Sequence, residues 1–168
     1  MIQGQCHCGA VRYEVTGEAT YNALCHCSDC RRHAGAPVVG WAAYPATALT
    51  VTGETRVYAS SEHGRRHFCP ECGTGLFYYN EVALPGMADI QSATFDDPEA
   101  HPPQLHVQFA DHLAWMDGIG ELPKFARYPG QEGLRLEPKS FRRPSRHVNA
   151  PSRALHPTPP SPALLLQI

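Results

Sequence analysis

Seven cysteines carry the chemistry legible in this 168-residue chain, and all seven fall into short-spaced groups. Cys25, Cys27 and Cys30 lie within one six-residue stretch, Cys25-His26-Cys27-Ser28-Asp29-Cys30. Cys6-x-Cys8 lies upstream, and Cys69-Pro70-Glu71-Cys72 lies downstream. A Cys-x-Cys pair is badly placed to close on itself as a disulfide, and an odd total does not suit a disulfide framework. Thiolates gathered at such spacings hold a soft metal ion, zinc above all. Seven donors divide most simply into four and three. A structural zinc takes four protein ligands and is closed, whereas a catalytic zinc keeps three and one open position. Cys25, Cys27 and Cys30 form the local triad. Cys6, Cys8, Cys69 and Cys72 then form a closed tetrathiolate that sews the first strand to a much later turn. Two rival divisions stay open. One joins Cys27 and Cys30 to Cys69 and Cys72 as a zinc ribbon, at the cost of an unusually long loop and of stranding Cys6, Cys8 and Cys25. The other makes Cys69 and Cys72 a redox pair.

A three-thiolate zinc retains a place for water, a substrate thiol or a carbonyl oxygen. It can hold an incoming thiol as thiolate and polarise an aldehyde. The polar residues nearby each carry two readings. His7 and His26 sit between ligands, and on extended Cys-x-Cys segments their rings point away from the metal. His33 either reaches the site as acid, base or fourth ligand, or lies on an exposed loop. Arg31 and Arg32 either attract an anionic substrate or occupy a solvated turn. Asp89 and Gln91 interrupt an apolar stretch and either line a pocket or face solvent.

The elements that must position these groups are short strands. Val11, Tyr13 and Val15 alternate with Arg12 and Glu14, the period of a half-buried strand over residues 9–15. Residues 21–24 lead into the cysteine knot as another. Ser28 is placed to cap a single helical turn through Arg32, which folds Cys30 back over Cys25 and Cys27. Gly35 and Pro37 stop that helix. Strands are expected over residues 38–44, around Leu49 and Val51, over 56–59, 76–79 and 84–91, and at Leu105, Val107 and Phe109. Pro85 and Gly86 make the start of 84–91 an edge or a bulge. Cys-Pro-Glu-Cys-Gly reads as a tight knuckle in which Gly73 takes a positive φ. One helical turn is expected near residues 111–116.

Composition sets the frame. Apolar residues make up 42 % and charged residues 18 %, enough for a packed core. Residues 1–130 carry 8 Lys/Arg against 14 Asp/Glu, a balance of −6, which argues against a nucleic-acid surface on this body. Residues 131–168 are basic, with 6 against 2, and residues 129–168 hold eight of the 16 prolines. With one aromatic, Phe141, residues 131–168 cannot bury enough apolar area to offset their ordering entropy and read as a disordered tail. The body is accordingly residues 1–130. The first residues lack the charged and apolar regions of a secretion signal, and no stretch approaches the roughly 20 apolar residues that span a bilayer. A reducing cytoplasm, where thiols stay free for metal, is the expected location.

Three stretches together resemble a known family. They are Gly4-Gln5-Cys6-His7-Cys8-Gly9-Ala10-Val11-Arg12-Tyr13, Cys25-His26-Cys27-Ser28-Asp29-Cys30-Arg31-Arg32 and Phe68-Cys69-Pro70-Glu71-Cys72-Gly73-Thr74. They resemble the glutathione-dependent formaldehyde-activating enzymes, also called the centromere protein V/formaldehyde-activating family. The likeness spans residues 3–129 and includes all seven cysteines. It implies an all-β, Mss4-like fold of small antiparallel sheets around two zinc sites. It further implies that Cys6, Cys8, Cys69 and Cys72 bind a structural zinc while Cys25, Cys27 and Cys30 bind a catalytic one. The implied activity is a carbon–sulfur lyase of the S-hydroxymethylglutathione synthase type, with a glutathione-like thiol and a small aldehyde such as formaldehyde as partners. The alternative is a non-catalytic interaction module in which both zincs are structural. A third possibility is a sensor that binds a partner through the basic tail. Neither residues nor resemblance give an oligomeric state or a contact to glutathione.

Overall fold

A computed structural model describes residues 1–127. The proposed boundary at 130 and the Pro-rich stretch 131–168 lie outside the described residues. The described chain is all-β, with one short α-helix and several 3₁₀ turns. Ten strands form two sheets. β1 (Ile2–Gln5), β2 (Arg12–Val15) and β5 (Leu49–Thr52) make a three-stranded antiparallel sheet in the order β1-β2-β5. The larger sheet has seven strands. It contains β3 (Tyr21–Cys25), β4 (Val39–Pro45), β6 (Arg56–Ala59), β7 (Arg65–Phe68), β8 (Gly75–Tyr79), β9 (Met87–Gln91) and β10 (Leu105–Val107), in the order β10-β3-β4-β9-β8-β7-β6.

Side chains alternate across each strand, so the seven-stranded sheet has two faces of different character. On one face Ala42, Tyr44, Phe77 and Ile90 pack against Val11, Tyr13 and Val15 of the small sheet, forming the main core. Tyr13 meets Phe77 edge-on at 5.2 Å between ring centroids, a favourable aromatic geometry. The other face carries a row of residues in register across neighbouring strands: Tyr21, Ala43, Asp89, Tyr78 and Arg66. Cys25, Val39 and Trp41 share this second face, and Cys30 of helix α1 (Ser28–Ala34) packs onto it.

The structure departs from the expected elements in several places, among them β1, which was not expected, and two 3₁₀ segments, Phe109–Asp111 and Ala114–Glu121, where one helical turn near 111–116 was expected. β10 runs parallel to β3, so the large sheet is mixed rather than wholly antiparallel. The connection 92–104 is long enough to cross two strands, as parallel pairing requires. Gln104 N–H and the Asn22 side-chain amide fasten its end, donating to Asn22 O and His101 O. β9 starts at Met87, because Leu84 N–H turns back to Asn80 O and the Asn80 Oδ1 accepts from Val82 and Ala83. α1 is capped by Cys27 rather than Ser28, and it runs on to Ala34. Phe109 ends the last strand early and enters a 3₁₀ turn. No described helix is long and apolar enough to cross a membrane.

Candidate metal centres

Two knuckles assemble the first sulfur group. Cys6 ends the segment after β1, and its N–H and C=O bond Val11 O and Gly9 N–H at 2.9 and 3.0 Å. The Cys6 sulfur also accepts from Val11 N–H at 3.2 Å. The second knuckle joins β7 to β8. There Gly73 adopts φ +75°, which a side chain resists, and its N–H bonds Cys69 O at 2.9 Å. Thr74 links the two knuckles, since its hydroxyl accepts from His7 N–H at 3.1 Å and lies 3.2 Å from the Cys72 sulfur. The sulfurs of Cys6, Cys8, Cys69 and Cys72 all lie within 4.8 Å of one another. Burial pushes the Cys69 thiol up to about 12. Cys72 is half-buried, and although that burial pushes its thiol up, the Thr74 contacts and the Cys8 backbone bring it down to about 6. Thiols this close share protons, and such a set readily exchanges them for a cation.

The second group is local. Cys25 ends β3, Cys27 caps α1 and Cys30 lies in its first turn, and their sulfurs also fall within 4.8 Å of one another. The Cys27 sulfur accepts from Cys30 N–H at 3.2 Å, so one atom starts the helix and faces the other thiols. Cys25 and Cys30 are buried and 3.7 Å apart, while Cys27 is half-buried. The contact with Cys30 draws the Cys25 thiol down. The same contact, with burial, pushes Cys30 up. No His, Asp or Glu among the described residues joins this trio within the same distance. The donor chemistry of both groups, clustered thiols alone, fits zinc.

The surroundings differ from the sequence expectations in detail. His26 is 3 % exposed, with its ring turned to the outer end of the sheet. There Nε2 lies 2.8 Å from His106 Nδ1, and Phe109 packs edge-on. His33 is half-buried rather than exposed, and burial holds its imidazole below the usual range. It does not join the trio. Its Nε2 stands over Gly75 together with Gln91 Nε2, where an added Cβ would lie 3.0 and 2.5 Å from them, so only glycine leaves them room. Asp89 and Gln91 face this cluster, not solvent. Asp89 is 6 % exposed and accepts from the Tyr21 hydroxyl at 3.0 Å. Burial pushes its carboxyl up to about 7, although Tyr21 and the charge of Arg66 pull the other way.

Arg66 was not singled out from the sequence. It is 2 % exposed, with one nitrogen 2.5 Å from Asp29 and 3.6 Å from the Cys30 sulfur. Its guanidinium lies over Tyr78 at 4.9 Å and toward Trp41 at 6.0 Å. A buried cation is costly unless paired, and here the pairing includes a sulfur of the trio. The available signal was the alternation of Arg65, Arg66 and His67, which puts the middle residue on the opposite face of a strand.

A mixed β-fold with two convergent thiol groups defines a class of cysteine-rich protein suited to binding metal. Within that class, the chain belongs to the glutathione-dependent formaldehyde-activating enzyme family, whose description matches residues 1–111. A Halomonas elongata protein that carries this enzyme name provisionally is 30 % identical over 70 % of this chain and 80 % of its own. An Emericella nidulans protein with the same provisional name is 31 % identical over 71 % of this chain and 64 % of its own. An uncharacterised lyase of Schizosaccharomyces pombe is 29 % identical over 45 % of this chain and 56 % of its own. The crystal structure of a Rhodobacter sphaeroides protein shares the fold. Its TM-score is 0.50 at 23 % identity, covering 62 % of this chain and 99 % of that one.

Proposed function

We propose that the protein is a zinc-dependent carbon–sulfur lyase or synthase that joins a glutathione-like thiol to a small aldehyde such as formaldehyde. In this reading Cys6, Cys8, Cys69 and Cys72 hold a structural zinc, and Cys25, Cys27 and Cys30 hold the catalytic one. One observation carries it: three sulfurs converge, and no fourth protein donor joins them among the described residues. Family membership supports the substrate pair.

Zinc bound by the trio would supply a Lewis acid that steadies a substrate sulfur as thiolate or draws electron density from a carbonyl oxygen. The chain's own residues do the rest. Cys25 and Cys30 anchor the site on the sheet, and half-buried Cys27 leaves its outer side accessible. Arg66 offsets the negative charge of three clustered thiolates. Half-buried Tyr21 and buried Asp89 hold a hydroxyl–carboxyl pair on the same face, available to accept or return a proton. The bond changes balance without an oxidant or reductant. A sulfur–carbon bond forms, the carbonyl π bond breaks, and the thiol proton ends on the new hydroxyl oxygen.

The test combines elemental analysis with exchange spectroscopy by NMR on a formaldehyde–glutathione mixture. Two zinc ions per chain and exchange well above the uncatalysed rate are expected. A zinc-replete protein that leaves exchange at its uncatalysed value removes the enzymatic reading. Cobalt substitution separates the alternative of two closed structural sites. An open cobalt site changes its visible spectrum when a thiol is added, and a closed one does not.

A further inference from the structure

An open cleft of about 440 Å³ lies between α1 and the segment around Leu113 and Trp115. Its wall on the helix begins at Ser28, the residue after Cys27, and continues through Arg31 and Arg32. These positions, at i, i+3 and i+4, form one stripe, while Cys30 turns to the sheet. Pro37, Leu113 and Trp115 supply the apolar side, and the Trp115 indole is 58 % exposed. The cleft opens to solvent on its outer side, with room for a small molecule laid against the helix.

The charge of this cleft is unusual for the molecule. The body is acidic, yet no acidic side chain is among the described residues that line it. Neither Arg31 nor Arg32 forms an ion pair among the described residues, and the one acid of α1, Asp29, is taken by Arg66. Arg31 Nε is shielded from solvent without a hydrogen-bond partner among the described residues. A shielded donor without a partner is costly, and a planar guanidinium is best satisfied by a carboxylate.

We infer that this cleft is the carboxylate-recognising part of the thiol site, with Arg31 and Arg32 selecting a carboxylated thiol over a neutral one and Trp115 covering its backbone. The inference rests on the proposed thiol chemistry only for the orientation of the ligand, with sulfur toward Cys27 and carboxylate toward the arginines. It makes Arg31 and Arg32 specificity residues.

Binding is tested apart from catalysis, without aldehyde. The probes are S-methylglutathione, which cannot react as a thiol, and its diethyl ester, which lacks the carboxylates. Each is titrated into the full-length zinc-loaded protein while tryptophan emission is followed. The acid should give a saturable change that Trp115→Phe abolishes, with the ester binding at least about 10-fold more weakly, the loss expected for one charged hydrogen bond. Arg32→Gln and the double variant Arg31→Gln/Arg32→Gln should erase that preference, and Arg32→Lys should restore part of it. Circular dichroism confirms that each variant is folded, and exposed Arg32 gives the safer substitution. Equal affinity for acid and ester overturns the inference, as does a preference that survives the double variant. If the preference follows the arginines while thiol–aldehyde exchange stays uncatalysed, the cleft stands and the enzymatic reading alone falls.

Discussion

The two sulfur groups are built in opposite ways. The quartet draws its donors from two turns far apart in the chain, and each turn is already tied by its own backbone hydrogen bonds. It adjoins the apolar core, where Cys6 and Cys69 pack with Val11 and Leu76. The trio takes all its donors from one short segment and sits on the opposite sheet face. On that face lie buried groups an ordinary core excludes: Arg66, which touches the Cys30 sulfur, and Asp89. Long-range donors in apolar surroundings suit stability. Local donors among charged neighbours add little to topology, so the cost of burying those neighbours points to chemistry.

The sharpest way to break this contrast is to remove one sulfur from each group. Cys69→Ser should unfold the domain, since a structural zinc contributes about 10 kcal/mol or more, comparable with the whole stability of a small domain. Cys27→Ser should remain folded, because a serine oxygen can still cap α1, and should lose thiol–aldehyde exchange. Thermal melts of both proteins decide the matter, and two equal melts would erase the distinction between the groups.

Asp89 gives the next effect. Its native carboxyl stays protonated up to about 7, whereas the unfolded chain ionises near 3.8. The native state therefore binds more protons between those values, and stability falls as pH rises through that window. Relative to Asp89→Asn, the wild type should lose about 2–3 kcal/mol between pH 5 and pH 8 by urea unfolding. Parallel curves for the two proteins would show that the carboxyl is not held in its neutral form.

Arg66→Met sharpens the comparison from the trio's side. Loss of an outer partner typically weakens metal binding by about 10–100-fold. Cobalt or zinc competition should show that loss in one ion per chain, with the quartet's ion unmoved. A uniform loss at both sites would mean that Arg66 acts on the fold as a whole. The smallest effect belongs to Ser28→Ala. Because Cys27 caps α1, the change should cost well under the ~1 kcal/mol of a lost N-cap, again read as a melting shift.

Much of this arrangement was readable from the chain, for a physical reason. Ligand spacing is local, so Cys25, Cys27 and Cys30 announce one group, and the alternation of Val11, Tyr13 and Val15 announces a strand. What escaped depends on register between distant strands. β1 has Ile2 as its lone large apolar residue and exists through backbone pairing with β2. The row that brings Tyr21, Asp89 and Arg66 onto one face is set by pairings across five strands, which no window of sequence contains. Asp89 and Gln91 were visible as odd residues in an apolar run, but their face was not. The helix cap was misplaced because serine is the commoner cap and a thiol rarely competes for it.

That cap has a consequence for how the trio is loaded. The hydrogen bond from Cys30 N–H holds the Cys27 sulfur at the helix start through backbone geometry. The cavity for an ion is thus shaped beforehand, and little conformational freedom is surrendered at capture. In the proposed reading, filling and emptying then proceed as a local exchange that leaves the distant quartet of sulfurs untouched.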